Sequence, residues 1–141
     1  MGTCSQTSVS QNQESAKNKI FLNKKEIVLN EADFEKLHIL LLELLEECDD
    51  FYEKIVTNKL VNDIKNNENF LEVIYANQFE VNIGNKQSLV VRSLFIPLSG
   101  RYQSNNELTF FCGNPGYSIE PYINSKGFDK LDKVIKDFPV K

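Results

Sequence analysis

The spacing of apolar side chains changes along this chain, from three or four residues to two. Residues 34–55 carry apolar side chains at helical spacing, and residues 70–98 carry them mainly at alternate positions. The first pattern is typical of one buried face of an α-helix, and the second of one buried face of a β-strand. The change of period therefore predicts a fold that combines helices with a sheet.

The helical segment has a clear start. Asn30 has the side chain of an N-cap residue, and Glu31 and Asp33 follow it in the expected first turn. The stripe that follows is wide enough to predict a well-buried helix. A second helix is expected over residues 58–66. The first stripe consists of Phe34, Leu37, Leu41, Leu44, Cys48, Phe51 and Ile55, widened by Ile39, Leu40, Leu42 and Leu45.

The strand-like segments are followed by one more amphipathic stretch. A final helix with Phe128 on its apolar face is expected after Ser125, which we predict as its cap. We predict an α+β fold, an antiparallel sheet of four or five strands with helices packed on one face. The expected strands are residues 20–29 (an edge strand or a hairpin), 70–76, 79–83, 88–98 and 107–112, with loops at 97–106 and 113–124.

The N-terminal residues have a different composition. Residues 1–19 hold four apolar residues, and all fifteen aromatic residues lie beyond them. A stretch rich in Ser, Gln and Asn cannot bury enough apolar surface to offset the entropy lost on ordering. We therefore expect residues 1–19 to be a disordered tether and residues 20–141 to form a single domain.

Cys4 gives this tether a second interpretation. Cys4 is followed by Ser, Gln, Thr and Ser and then by a polar linker, which resembles the start of a mature bacterial lipoprotein. The resemblance covers residues 4–19 and implies a lipid on Cys4 and a periplasmic or outer-membrane location. An apolar signal segment does not precede Cys4, so Met1-Gly2-Thr3 would be an added start. The alternative is an ordinary N-terminus with an incidental cysteine on a cytoplasmic protein.

Charge is distributed unevenly. The 16 Lys and Arg residues against 20 Asp and Glu give a net charge of −4, and only two of the cations are Arg, so nucleic-acid binding is not expected. Residues 31–53 hold nine carboxylates and one Lys. The alternatives are a solvated helix face and a contact surface for a basic protein partner. The contact surface would comprise Glu43, Glu46, Glu47 and Asp50.

Two predicted loops carry the other candidate contact residues. Arg101 and Tyr102 lie between residues 97 and 106, and Tyr117 and Tyr122 lie between residues 113 and 124. Tyrosine is enriched at protein interfaces, so these loops are expected to contribute to partner binding.

The cysteines and the single histidine permit two further interpretations. Cys48 and Cys112 could form a disulfide in an oxidising compartment, or both could be buried thiols. His38 with either cysteine would be the minimum for a cysteine hydrolase. A zinc site is not expected because three Cys and one His are widely spaced. We expect no metal and no cofactor.

The sequence therefore favours a non-catalytic envelope lipoprotein that binds another protein, of the inhibitor or immunity type. Two alternatives remain open. The first is a module that binds a small ligand or the cell wall in a pocket near Arg101. The second is a small hydrolase that depends on cysteine or on carboxylates.

Overall fold

The computed structural model describes residues 17–48, 50–55, 58–83, 87–100, 103, 105–113 and 119–138. These residues form an α+β fold with one antiparallel sheet, as the change of period predicts. In chain order the elements are β1 (Lys19–Leu22), β2 (Lys25–Ile27), α1 (Glu31–Glu46), β3 (Asp50–Ile55), α2 (Asn58–Asn67), β4 (Phe70–Ile83), β5 (Gln87–Pro97), β6 (Leu108–Gly113), β7 (Ile119–Ser125) and α3 (Phe128–Lys136).

The strands lie in the order β2-β1-β4-β5-β6-β7-β3, with antiparallel pairing throughout. The sheet therefore extends beyond the four or five expected strands. The additional strands are β3, which the sequence analysis continued as helix, and β7, which it placed in a loop. They pair with each other from Asp50↔Asn124 to Ile55↔Ile119.

The larger core lies between one face of the sheet and the helices α1 and α3. Leu37 and Leu41 of α1 meet Leu71 and Val73 of β4 there, and all four side chains are fully or almost fully buried. Gly127 precedes α3, and a Cβ atom at this position would lie 2.1 Å from Cδ2 of Leu44. The missing side chain at Gly127 therefore allows α3 to approach α1 closely.

A smaller core covers the opposite face. Ile64 of α2 packs with Phe70, Phe95 and Phe111, which point away from the larger core. The expected placement of helices on one face thus holds for α1 and α3, whereas α2 packs on the other face. At the rim of this core Nζ of Lys65 lies 3.2 Å from Oε1 of Glu72, and that ion pair is partly shielded from water.

The helix caps are partly as expected. The side chain of Asn30 accepts a hydrogen bond of 2.8 Å from the N–H of Asp33, which confirms it as the N-cap of α1. The predicted Ser125 cap is replaced by a more distant residue. Oδ1 of Asn106 accepts a 2.7 Å bond from the N–H of Asp129, and no side chain at Gly127 caps α3.

The β1–β2 hairpin is present, with Asn23 and Lys24 as its two-residue turn. Asn23 has a positive φ of 57°, which asparagine tolerates better than most residues. Its N–H donates a 2.8 Å bond to the carbonyl of Phe70, and its side chain accepts from the N–H of Phe70. These two bonds fix the hairpin against β4.

None of the described helices has the length and apolar character needed to cross a membrane.

Candidate functional site

The carboxylates of α1 form one exposed surface, which we call the acidic face. Because Leu37, Leu41, Leu44 and Leu45 turn toward the core, the opposite side of the helix is left in water. Lys36 is the exposed cation of this helix. The acidic face consists of the exposed side chains of Glu31, Glu35, Glu43, Glu46 and the C-cap residue Glu47, whereas the exposed Asp33 lies on the side of Leu37.

Ile39 lies within the acidic face. The sequence analysis assigned it to the buried stripe, but 48% of the side chain is exposed. Positions four residues apart are neighbours on a helix, so Ile39 lies between Glu35 and Glu43. An exposed apolar side chain flanked along the helix by two carboxylates has the pattern of a small interface anchor. Counting about 100° per residue around the helix from Leu37 places Ile39 on the side away from the core, so its exposure could have been predicted from the sequence.

The carboxylates at the C-terminal end of α1 oppose the helix dipole. Glu43, Glu46 and Glu47 lie where the dipole is negative, and the last turn contains no basic residue. Cations at this end stabilise a helix by roughly 0.3–1 kcal/mol each, so carboxylates there are unfavourable by a similar amount. The placement of these three residues is therefore not explained by the stability of α1.

Ion pairs within the described residues do not neutralise the acidic face. Among the described residues, the ion pairs join Lys65 to Glu72 and Lys136 to Asp132, and neither pair involves α1. The clustered carboxylates outnumber Lys36, so this surface has a net negative potential, which attracts basic partners and raises their association rate.

The structure describes only some of the remaining predicted contact residues. Asp50 belongs to the strand β3 and not to the acidic helix, because α1 ends at Glu46. Tyr122 lies in β7, where its backbone pairs with Tyr52 and Phe111. The residues outside the described part of the chain are Cys4, Arg101, Tyr102 and Tyr117.

The two core cysteines are buried, and no disulfide joins them. Cys48 follows the end of α1, and Cys112 lies on β6. The sequence left open a Cys48–Cys112 disulfide and two buried thiols, and the structure has two buried thiols. Buried cysteine behaves mainly as a small apolar side chain.

His38 bonds to a tyrosine that the sequence analysis did not single out. Nδ1 of His38 lies 3.1 Å from Oη of Tyr75. The register between β4 and β5 shifts after Ile74 and resumes at Phe79, so Tyr75 opens a bulge. The rings of Phe34 and Phe79 pack beside His38, with centroid distances of 6.1 and 5.1 Å. The bulge could not be read from the alternating pattern of β4.

Burial sets the protonation of this pair. It lowers the pKa of His38, and the nearby Glu35 carboxylate opposes that effect in part. Burial also raises the pKa of Tyr75, and the neighbouring Cys112 raises it further. Both side chains are therefore neutral near pH 7. A neutral histidine hydrogen-bonded to a buried tyrosine is a structural pair that holds α1 against β4.

A groove of about 900 Å³ lies at the open end of the β1–β2 hairpin. Its apolar lining includes Ile20, Ile27 and Phe34, and Glu31 and Glu35 of the acidic face reach its helix side. Val28 borders it with 82% of its side chain exposed. Lys17 and Lys19 line another part of the groove. The groove and the acidic face are therefore continuous.

Metal binding has no support in the described part of the chain, where no three His, Cys, Asp or Glu side chains are grouped to hold an ion.

Comparison with known proteins identifies no relative. No protein-family model, no curated protein and no solved structure matches this chain.

Proposed function

We propose that this protein is a non-catalytic binding protein that recognises a basic protein partner through the acidic face of α1. The single observation that carries the proposal is Ile39, exposed between Glu35 and Glu43 on a helix whose other large aliphatic side chains are buried or partly buried. A solvated helix face needs no apolar residue at its centre, whereas an interface gains affinity from one.

The unfavourable charge at the end of α1 supports the same function. Glu43, Glu46 and Glu47 oppose the helix dipole without a described ion pair. A basic partner would relieve both the dipole conflict and the mutual repulsion when it binds. The size of the protein and this negative surface fit an inhibitor or immunity-type protein whose target is basic.

The proposed location is the bacterial envelope, with a lipid on Cys4. Its support is the Cys-Ser-Gln-Thr-Ser sequence and the polar linker that follows. Expression of the natural gene with radiolabelled palmitate tests it. Label should enter the protein and should be lost in Cys4→Ser. Incorporation that is equal in the two proteins, or absent from both, would return the protein to the cytoplasmic alternative.

Partner binding is tested with a triple charge reversal and a control of equal net charge. The test variant is Glu43→Lys, Glu46→Lys and Glu47→Lys, and the control reverses the exposed residues Asp63, Glu80 and Asp137 to Lys. Envelope extract is passed over each immobilised protein, and the captured partner is identified and titrated. The acidic-face variant should lose binding at least tenfold, and the control should retain it.

Ile39→Ser provides the second arm. The side chain is outside the core, so the urea midpoint should stay near that of the parent while affinity for the partner falls. Equal binding by the parent, the charge-reversed protein and Ile39→Ser would reject the acidic face as the binding surface.

A further inference from the structure

The direction of the backbone N–H and C=O groups at the β2 edge follows from the hydrogen bonding of the Asn23 turn. The backbone N–H of Asn23 donates to the carbonyl of Phe70 and therefore faces β4, and Oδ1 of the Asn23 side chain accepts from the N–H of Phe70. Backbone groups alternate in direction along a strand. Phe21 therefore also faces β4, and Ile20 and Leu22 face β2.

The same alternation assigns the outer edge. Ile20 pairs with Ile27 and Leu22 pairs with Lys25, so the N–H and C=O groups of those β2 residues are directed at β1. The N–H and C=O groups of Glu26 and Val28 then point away from the sheet. Within the described chain, β2 is the terminal strand and no backbone bond to Glu26 or Val28 is formed from outside.

The groove at the open end of the hairpin reaches this edge, since Glu26 and Val28 belong to its lining. An extended segment added to β2 would place alternate side chains on two sides. One side faces Phe34 together with Glu31 and Glu35, and the other lies beside Glu26 and the exposed Val28. Lysine or arginine at every second residue would meet the carboxylates, and an apolar residue between them would cover Val28.

A second copy of this chain fits the edge poorly. Pairing of β2 with β2 would bring Glu26 and the acidic faces of two copies together, and like charges placed opposite each other are unfavourable.

We propose that the β2 edge binds an extended segment of the basic partner, with alternating basic and apolar residues, as an additional strand of the sheet. This inference rests on the proposed function, since the segment belongs to the same partner that the acidic face attracts. Backbone bonds to Glu26 and Val28 supply affinity, and Glu31 and Glu35 select for a basic segment.

The test uses the full chain and an eight-residue peptide of alternating lysine and valine, blocked at both ends. Amide hydrogen exchange is followed by NMR. At a peptide concentration ten times the dissociation constant only about one molecule in eleven is free, so exchange at Glu26 and Val28 should slow about tenfold. The same peptide with N-methyl groups on alternate residues should give no protection.

Two substitutions at one position separate backbone from side-chain binding. Val28→Pro removes the outward N–H, and proline fits an extended position at a sheet edge. It should weaken peptide binding about tenfold, since a lost bond leaves the partner's carbonyl without a donor. Val28→Ala keeps the N–H and should weaken binding less. Urea unfolding of both variants confirms that the fold persists.

The outcomes distinguish this inference from the proposed function. If the charge-reversed acidic face loses the partner while Val28→Pro binds normally and no amide is protected, strand addition is rejected and the acidic face stands. If both amides are protected before any peptide is added, the edge is already covered by this chain or by a second copy, and the inference fails.

Discussion

The two faces of the sheet bury apolar cores of different size. The face under α1 and α3 buries an extensive cluster of aliphatic side chains, whereas the face under α2 buries Ile64 with three phenylalanines. Buried apolar area is the main source of stability, so the larger core should dominate unfolding. The helix over the larger core also carries the acidic face, so the proposed binding surface lies on the part of the fold with the larger core.

Adjacent phenylalanines on β6 give the most direct test of this difference. Phe110 is fully buried in the larger core and Phe111 is 2% exposed in the smaller one. Truncation of a buried phenylalanine to alanine costs about 3–5 kcal/mol. Phe110→Ala should lie near the top of that range and Phe111→Ala near the bottom, because α2 alone can collapse into the space. Urea unfolding measures both, and an equal or larger loss for Phe111→Ala would contradict the comparison.

Gly127→Ala should have an intermediate effect on the larger core. The added methyl group would meet Leu44, and overpacking of this kind costs about 1–3 kcal/mol. Leu44→Ala removes the obstructing side chain, so the double variant should lose less than the sum of the two single losses. Strictly additive losses in thermal or urea unfolding would show that α3 does not depend on this contact.

His38 gives the smallest expected effect, at the edge of the larger core. Its pKa is lowered in the folded protein by burial, so the unfolded chain binds the proton more readily. The stabilising contribution is complete above the unfolded value of 6.5 and is lost as the pH falls through the folded value. The urea midpoint should decline below pH 6.5, and His38→Asn should remove that part of the decline. If the urea midpoint of His38→Asn declines with pH as that of the parent does, the decline is caused by carboxylates and not by His38.

The sequence anticipated the elements whose pattern is local. Asn30 and the stripe through Leu37 and Leu41 contain the information needed for the start and the buried face of α1. A strand was expected over residues 88–98, and β5 ends at Pro97, which has no N–H to continue the pairing. In each case the residues that decide the structure are neighbours along the chain.

The missed elements depend on partners distant in sequence. Phe51 and Ile55 continue the helical spacing of α1, yet they also suit a strand, and only pairing with β7 decides between the two. Pro121 argued against a strand in β7. Its cost is limited because the pairing of β7 with β6 covers Tyr122 to Ser125, the residues after the proline.

In the candidate site, too, features set by neighbours along the chain were predicted and features set by distant residues were missed. The exposed carboxylates Glu43, Glu46 and Glu47 were found from helical spacing alone. The open edge at Glu26 and Val28 was not, because strand order in the sheet decides which edge is uncovered.

The cap of α3 has a consequence for the order of folding. Asn106 holds the first turn of this nine-residue helix through the amides of Phe128 and Asp129. So short a helix is not stable alone in water. The helix α3 must therefore wait until the loop before β6 is positioned, so it should be among the last elements of the described chain to fold.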